Sequence, residues 1–98
     1  EPVSEEVPHR KGEPMAALQC PCCDYFTLSS RGDYEICRTC FWEDDGTDVE
    51  RPDTHSGPNH MTLRMGRHNF RLFGACDRAM IPHVSQPGPE CRREERSL

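Results

Sequence analysis

Two runs organise this chain. The first is Cys20-Pro21-Cys22-Cys23-Asp24-Tyr25-Phe26-Thr27-Leu28. After a turn through Ser29 to Asp33 comes the second, Tyr34-Glu35-Ile36-Cys37-Arg38-Thr39-Cys40-Phe41-Trp42-Glu43-Asp44-Asp45. Cys20 with Cys23 and Cys37 with Cys40 make two Cys-x-x-Cys pairs. Two intervening residues let the backbone turn tightly, so that both sulfurs of a pair converge. Four converging thiolates are the donor set of a closed, tetrahedral structural zinc site. The thirteen residues between Cys23 and Cys37 suit two short strands and a turn. Phe26 and Leu28 alternate with Tyr25 and Thr27, while Tyr34 and Ile36 are expected to share a buried face with Glu35 outward.

The candidate metal ligands are therefore Cys20, Cys23, Cys37 and Cys40, holding one Zn2+ per chain. Cys22 is a less favoured substitute for Cys20, because one intervening residue makes a poorer chelate turn than two. Its expected role is a packed or solvent-facing thiol, against a redox-sensitive group beside the metal. Seven cysteines is an odd count, which speaks against a disulfide framework. A thioredoxin-type pair needs one Cys-x-x-Cys opening a helix, and two pairs around a hairpin do not fit it. Iron suits four thiolates chemically but is less favoured, since nothing else in the chain suggests electron transfer. Asp24, after the first pair, is a residue type that tolerates the left-handed backbone region.

These residues also carry a resemblance. Cys20-Pro21-Cys22-Cys23 and Cys37-x-x-Cys40-Phe41-Trp42-Glu43-Asp44-Asp45 resemble the motifs of the bacterial cysteine-rich CPCC family. Arg67-x-Asn69-Phe70-x-x-Phe73-Gly74-Ala75 is similar to that family's second motif. The resemblance spans about Leu18 to Pro89. It departs at Asp24, where Gly is usual, at Arg38, where Pro is common, and at Gly66, where Ala is common. It implies a fold, assigns no activity, and gives Arg67 a role in that fold.

Ninety-eight residues with 34% hydrophobic content make one small domain with little core, a size at which metal is a common staple. No run reaches the length of a membrane span, no secretory signal is visible, and reduced thiols on a metal fit the cytoplasm. A net charge of −5 argues against general nucleic-acid binding. Residues 1–14 are polar, Pro-rich and aperiodic, and are expected to be a disordered N-terminal extension. Residues 15–89 make the zinc-binding domain, and the charged tail 90–98 is expected to be flexible.

Arg31-Gly32-Asp33 reads as an ordinary turn. Trp42, the single tryptophan, is expected as a lid on the metal core. Glu43 to Asp53 is an acidic loop. Gly46 falls where a calcium loop needs a ligand, so the loop reads as solvated, with Asp44 and Asp45 as candidates for a basic partner. His55 and His60 lack chelate partners at helical spacing and are expected at the surface. The spacing of Leu63, Gly66, Phe70 and Phe73 predicts a helix over 63–73, capped by Thr62 and ended by Gly74. Gly66 costs up to about 1 kcal/mol relative to Ala there, so a close approach to the sheet is expected. Arg64, Arg67, His68 and Arg71 lie beside the stripe as a basic face, a candidate surface for phosphate or an acidic protein. A second metal site from Cys76, Cys91 and His83 is disfavoured.

The expected fold is a small α+β, metal-stabilised domain: a zinc-ribbon or rubredoxin-like β-hairpin with two knuckles and one packed C-terminal helix. The expected function is a non-enzymatic zinc-binding module, an adaptor whose partner is another protein. The alternatives are nucleic-acid binding through the basic helix face and a thiol or iron redox protein. No nucleophile stands beside a base, and no glycine loop is shaped for phosphate.

Overall fold

Each Cys-x-x-Cys pair closes its own hairpin. In the computed structural model, which describes residues 17–98, Leu18–Gln19 (β1) pairs antiparallel with Phe26–Leu28 (β2) across the first pair. The Cys20 amide donates to Tyr25 O at 2.8 Å and the Asp24 amide to Cys20 O at 3.0 Å. The second pair repeats this: Cys37 donates to Trp42 O at 2.9 Å, Phe41 donates to Cys37 O at 2.7 Å, and Ile36 bridges Glu43. The residue after each second cysteine, Asp24 or Phe41, takes φ 70°. Asp24 thus occupies the left-handed conformation its residue type tolerates.

The single hairpin expected between Tyr25–Leu28 and Tyr34–Ile36 is not formed. The Cys-x-x-Cys turn itself reverses the chain, so each strand pairs outward across its own knuckle. The connection between knuckles is held by the Glu35 carboxylate, which accepts from the Ser29 amide and hydroxyl, both at 2.9 Å. Tyr34 and Ile36 are both exposed rather than sharing a buried face.

A further hairpin, which no local signal foretold, pairs His55–Ser56 (β3) with Met61–Thr62 (β4). Asn59 ties its turn to the second knuckle, accepting from the Glu43 amide at 2.9 Å and donating to Glu43 O at 2.8 Å. It leads directly into the helix Leu63–Phe73 (α1), with the expected bounds and caps. Thr62 Oγ1 accepts from the Met65 amide, and Gly74 has φ 81°. Leu63, Gly66 and Arg67 are buried, and Phe70 meets Tyr25 edge-on at 6.4 Å. A Cβ on Gly66 would lie 2.8 Å from Trp42 Cζ3 and 3.4 Å from Cys22 Sγ, so the close approach is to the tryptophan ring.

A 3-10 helix, Arg78–His83, follows, and the chain returns to the second knuckle. Cys76 donates its amide to Cys40 O and Ser85 donates to Arg38 O, both at 2.8 Å. The backbone of residues 92–94, in the tail expected to be flexible, pairs with Asp24, Tyr25 and Phe26 at the start of β2. The expectations for residues 1–14, and for a folded start at Met15, lie outside the described residues.

Candidate metal centre

The paired backbone turns bring Cys20, Cys23, Cys37 and Cys40 together, all buried, with their sulfurs within 4.8 Å of one another. Cys20 Sγ is 3.7 Å from Cys40 Sγ, and Cys23 Sγ is 3.8 Å from Cys37 Sγ. A tetrahedron with metal–sulfur bonds of about 2.3 Å has edges of about 3.8 Å, so the four thiols fit one ion. All seven cysteines are free.

Electrostatics point the same way. Hydrogen bonds from Cys20, Cys23 and Cys40, joined by Thr27 Oγ1 at 3.0 Å, hold the Cys37 thiol well below its ordinary pKa. Burial pushes Cys40 up, and hydrogen bonds with Cys20 and Cys37 push Cys23 up. Without a cation, these dry and crowded sulfurs cannot all ionise, because each thiolate disfavours the next. A divalent ion removes that conflict.

Cys22 does not join the four. It is buried beneath α1 near Gly66, and burial raises its pKa. Of the packed and solvent-facing placements expected for it, it takes the packed one. Trp42 is fully buried in the same cluster, as a lid should be. Its Nε1 has no hydrogen-bond partner among the described residues, so packing rather than a polar anchor holds the ring.

Two members of the proposed partner surface are withdrawn by their burial. Arg67 is 3% exposed and forms a bidentate pair with Asp24, at 2.8 and 2.9 Å, while donating to Pro21 O at 2.6 Å. Its long stem follows the helix stripe inward to Asp24, under the first knuckle, whose carboxylate supplies the opposite charge such a buried cation needs. Arg96 also reaches Asp24, through Nε and its own amide, both at 2.8 Å. Burial alone would raise the Asp24 pKa, but the bonds from Arg67 and Arg96 outweigh it and hold the carboxylate below its usual value.

Asp44 is likewise fully buried. It accepts from Arg31 Nε and from the Gly32 amide, each at 2.8 Å, while Arg31 also reaches Asp48. Arg31-Gly32 is therefore an internal clamp on the acidic loop. Asp45 is half-buried and accepts from Ser56 Oγ at 2.8 Å. Arg64 is exposed and pairs with Asp53 of that loop at 2.7 Å. His68 and Arg71 remain exposed on the outer face of α1. His55 and His60 are exposed too.

Sequence reasoning missed Asp24 as an ion-pair centre, Arg96 as its second cation, and Asn59 as the brace of the second knuckle. The available signal was Asp24 itself, an acid in a position of tight backbone approach. No helix among the described residues is long and apolar enough to cross a membrane. Among curated proteins and among solved structures, nothing matches the chain. A family model described as Cysteine-rich CPCC matches residues 18–90, which include all four clustered cysteines, Trp42 and the whole of α1. By that match, the chain belongs to the cysteine-rich CPCC family.

Proposed function

We propose that the chain is a zinc-ribbon-like, non-enzymatic module in which Zn2+ is structural and the surface serves as a protein-interaction adaptor. The observation that carries this reading is the closure of the cluster. Four buried thiols take all four positions of a tetrahedral ion, which leaves none for a substrate or water. Function then belongs to the outside of the domain. The outer face of α1 shows Met65 and Leu72 exposed among Arg64, His68 and Arg71, a mixture that suits an acidic protein segment.

Metal analysis of the purified chain with an absorbance spectrum tests the first half. One colourless zinc per chain is expected, and a coloured iron–thiolate band would move the reading to redox chemistry. Affinity capture from a lysate, with and without nuclease, tests the second. A defined protein that survives nuclease and is lost with Arg71→Glu supports the adaptor. Capture that collapses with nuclease transfers the helix face to nucleic acid, with the steep salt dependence that entails.

A further inference from the structure

The tail lies against the first knuckle much as a bound peptide would. Its backbone adds to the edge of β2: Arg93 bridges Tyr25, and the Phe26 amide donates to Arg92 O at 2.9 Å. The Glu94 amide donates to Asp24 O at 3.3 Å, and Gln19 Nε2 donates to Glu94 O at 2.8 Å. Main-chain pairing of this kind accepts many sequences, and side-chain pockets select among them.

The side chains that make the contacts are arginines. Arg92 lies 3.9 Å over the Phe26 ring. Arg93 stacks 5.3 Å from Tyr25 and 5.9 Å from Phe70, and its Nε donates to Cys23 O at 3.0 Å. Arg96 meets the buried Asp24 carboxylate and the Cys20 carbonyl. A planar guanidinium satisfies rings, carbonyls and a carboxylate together, which an ammonium does not.

We propose that this edge, built from β2, Asp24, Tyr25 and Phe70, is a docking groove for an extended, arginine-bearing segment of a partner protein. In this chain it is occupied by the chain's own tail. Three observations favour an exchangeable occupant. The side chains of Arg93 and Arg96 keep 30% of their surface exposed. The tail is connected through Gln86-Pro87-Gly88-Pro89, a stretch that interrupts regular structure. The family match covers the groove and ends at residue 90, before the occupant begins. The proposal goes beyond the adaptor reading, because it concerns a different face and a basic rather than an acidic partner.

The test uses a labelled peptide of residues 92–98 and the full, metal-loaded chain, read by fluorescence anisotropy. Arg93→Ala/Arg96→Ala removes three charge-assisted contacts of the resident tail and is expected to bind the peptide at least about tenfold more tightly than wild type. Adding Asp24→Asn to that variant is expected to remove most of the gain, and a peptide with lysine at all three arginine positions is expected to bind more weakly. Equal binding to wild type and the double variant, or indifference to Asp24→Asn and to lysine, overturns the proposal. Should the variants lose their metal, amide exchange on wild type decides instead. Excess peptide is expected to expose the chain's own Arg96 amide while Phe26 stays protected. An Arg96 amide that stays protected in excess peptide overturns the proposal as well.

Discussion

Replacing Arg67 with methionine tests whether a buried ion pair, and not only the metal, holds α1 to the first knuckle. Arg67 donates to Pro21 O, to both Asp24 oxygens and to Arg96 O, with all four distances between 2.6 and 2.9 Å. Methionine keeps the packed stem and removes every donor. Removing one partner of a buried pair costs about 3–5 kcal/mol, because the remaining charge is stranded. Arg96 stays on Asp24, so the lower end applies, about 3 kcal/mol. Arg67→Met combined with Asp24→Gly removes both charges, and glycine accepts φ 70° freely. That double variant is expected to recover about 2 kcal/mol of the loss, a coupling far outside simple additivity. Urea unfolding followed by Trp42 emission gives the numbers, with free metal ion and reductant fixed because metal binding would feed into apparent stability. A loss below about 1 kcal/mol for Arg67→Met, or a double variant as weak as the two single losses added together, would refute the argument.

Chelation of the metal is expected to abolish the structure of residues 20–42, with Trp42 emission shifting red as the ring meets water; an unchanged circular dichroism spectrum would contradict this. Gly66→Ala gains up to about 1 kcal/mol of helix propensity, but its methyl meets the Trp42 ring at 2.8 Å. Overpacking costs about 1–3 kcal/mol, so a net loss near 1 kcal/mol is expected in the same urea assay, and a gain would show that the ring is free to move. Asp24 has a folded pKa below its unfolded one, so its stabilisation is complete above about pH 4 and fades only as pH falls through the lower value. The deficit of Asp24→Asn against wild type should therefore stay constant from about pH 8 to about pH 5, while protons displacing metal from the thiolates weaken both proteins alike; a deficit that grows as pH falls through that window would show that the folded Asp24 carboxyl is not held below its usual value.

The elements legible in the sequence are those with a local physical signature. The Cys-x-x-Cys spacing identified the four clustered thiols, because chelate geometry depends on a few adjacent residues. The 3.6-residue stripe, with Thr62 before it and Gly74 after it, located α1, because caps act within one turn. Strand pairing was misread for the opposite reason. Tyr25–Leu28 and Tyr34–Ile36 each look like strands, but nothing local says that each pairs outward across its own knuckle. The basic face failed at Arg67 because helical spacing places a residue beside the stripe without saying whether an acid waits beneath it. Asp24 lies 43 residues away in the chain. Asp44 followed the same pattern: an acid in an acidic run reads as solvated until Arg31 closes on it.

The two knuckles share one backbone geometry yet are supported by different means. The second is closed by backbone amides, from Cys76 to Cys40 O and from Ser85 to Arg38 O. The first is closed by guanidinium groups: Arg67 on Pro21 O, Arg93 on Cys23 O and Arg96 on Cys20 O. Amide bonds follow from the path of the chain and tolerate almost any side chain. Guanidinium bonds need three particular arginines and one buried carboxylate to collect two of them. That difference places the arginine-dependent part of the domain on the first knuckle, while the second relies on backbone amides and the Asn59 side chain. The residue that completes a tight turn beside two of the clustered thiols is the same residue that gathers the helix and the tail, so the thiol cluster, the helix and the tail share a single anionic point.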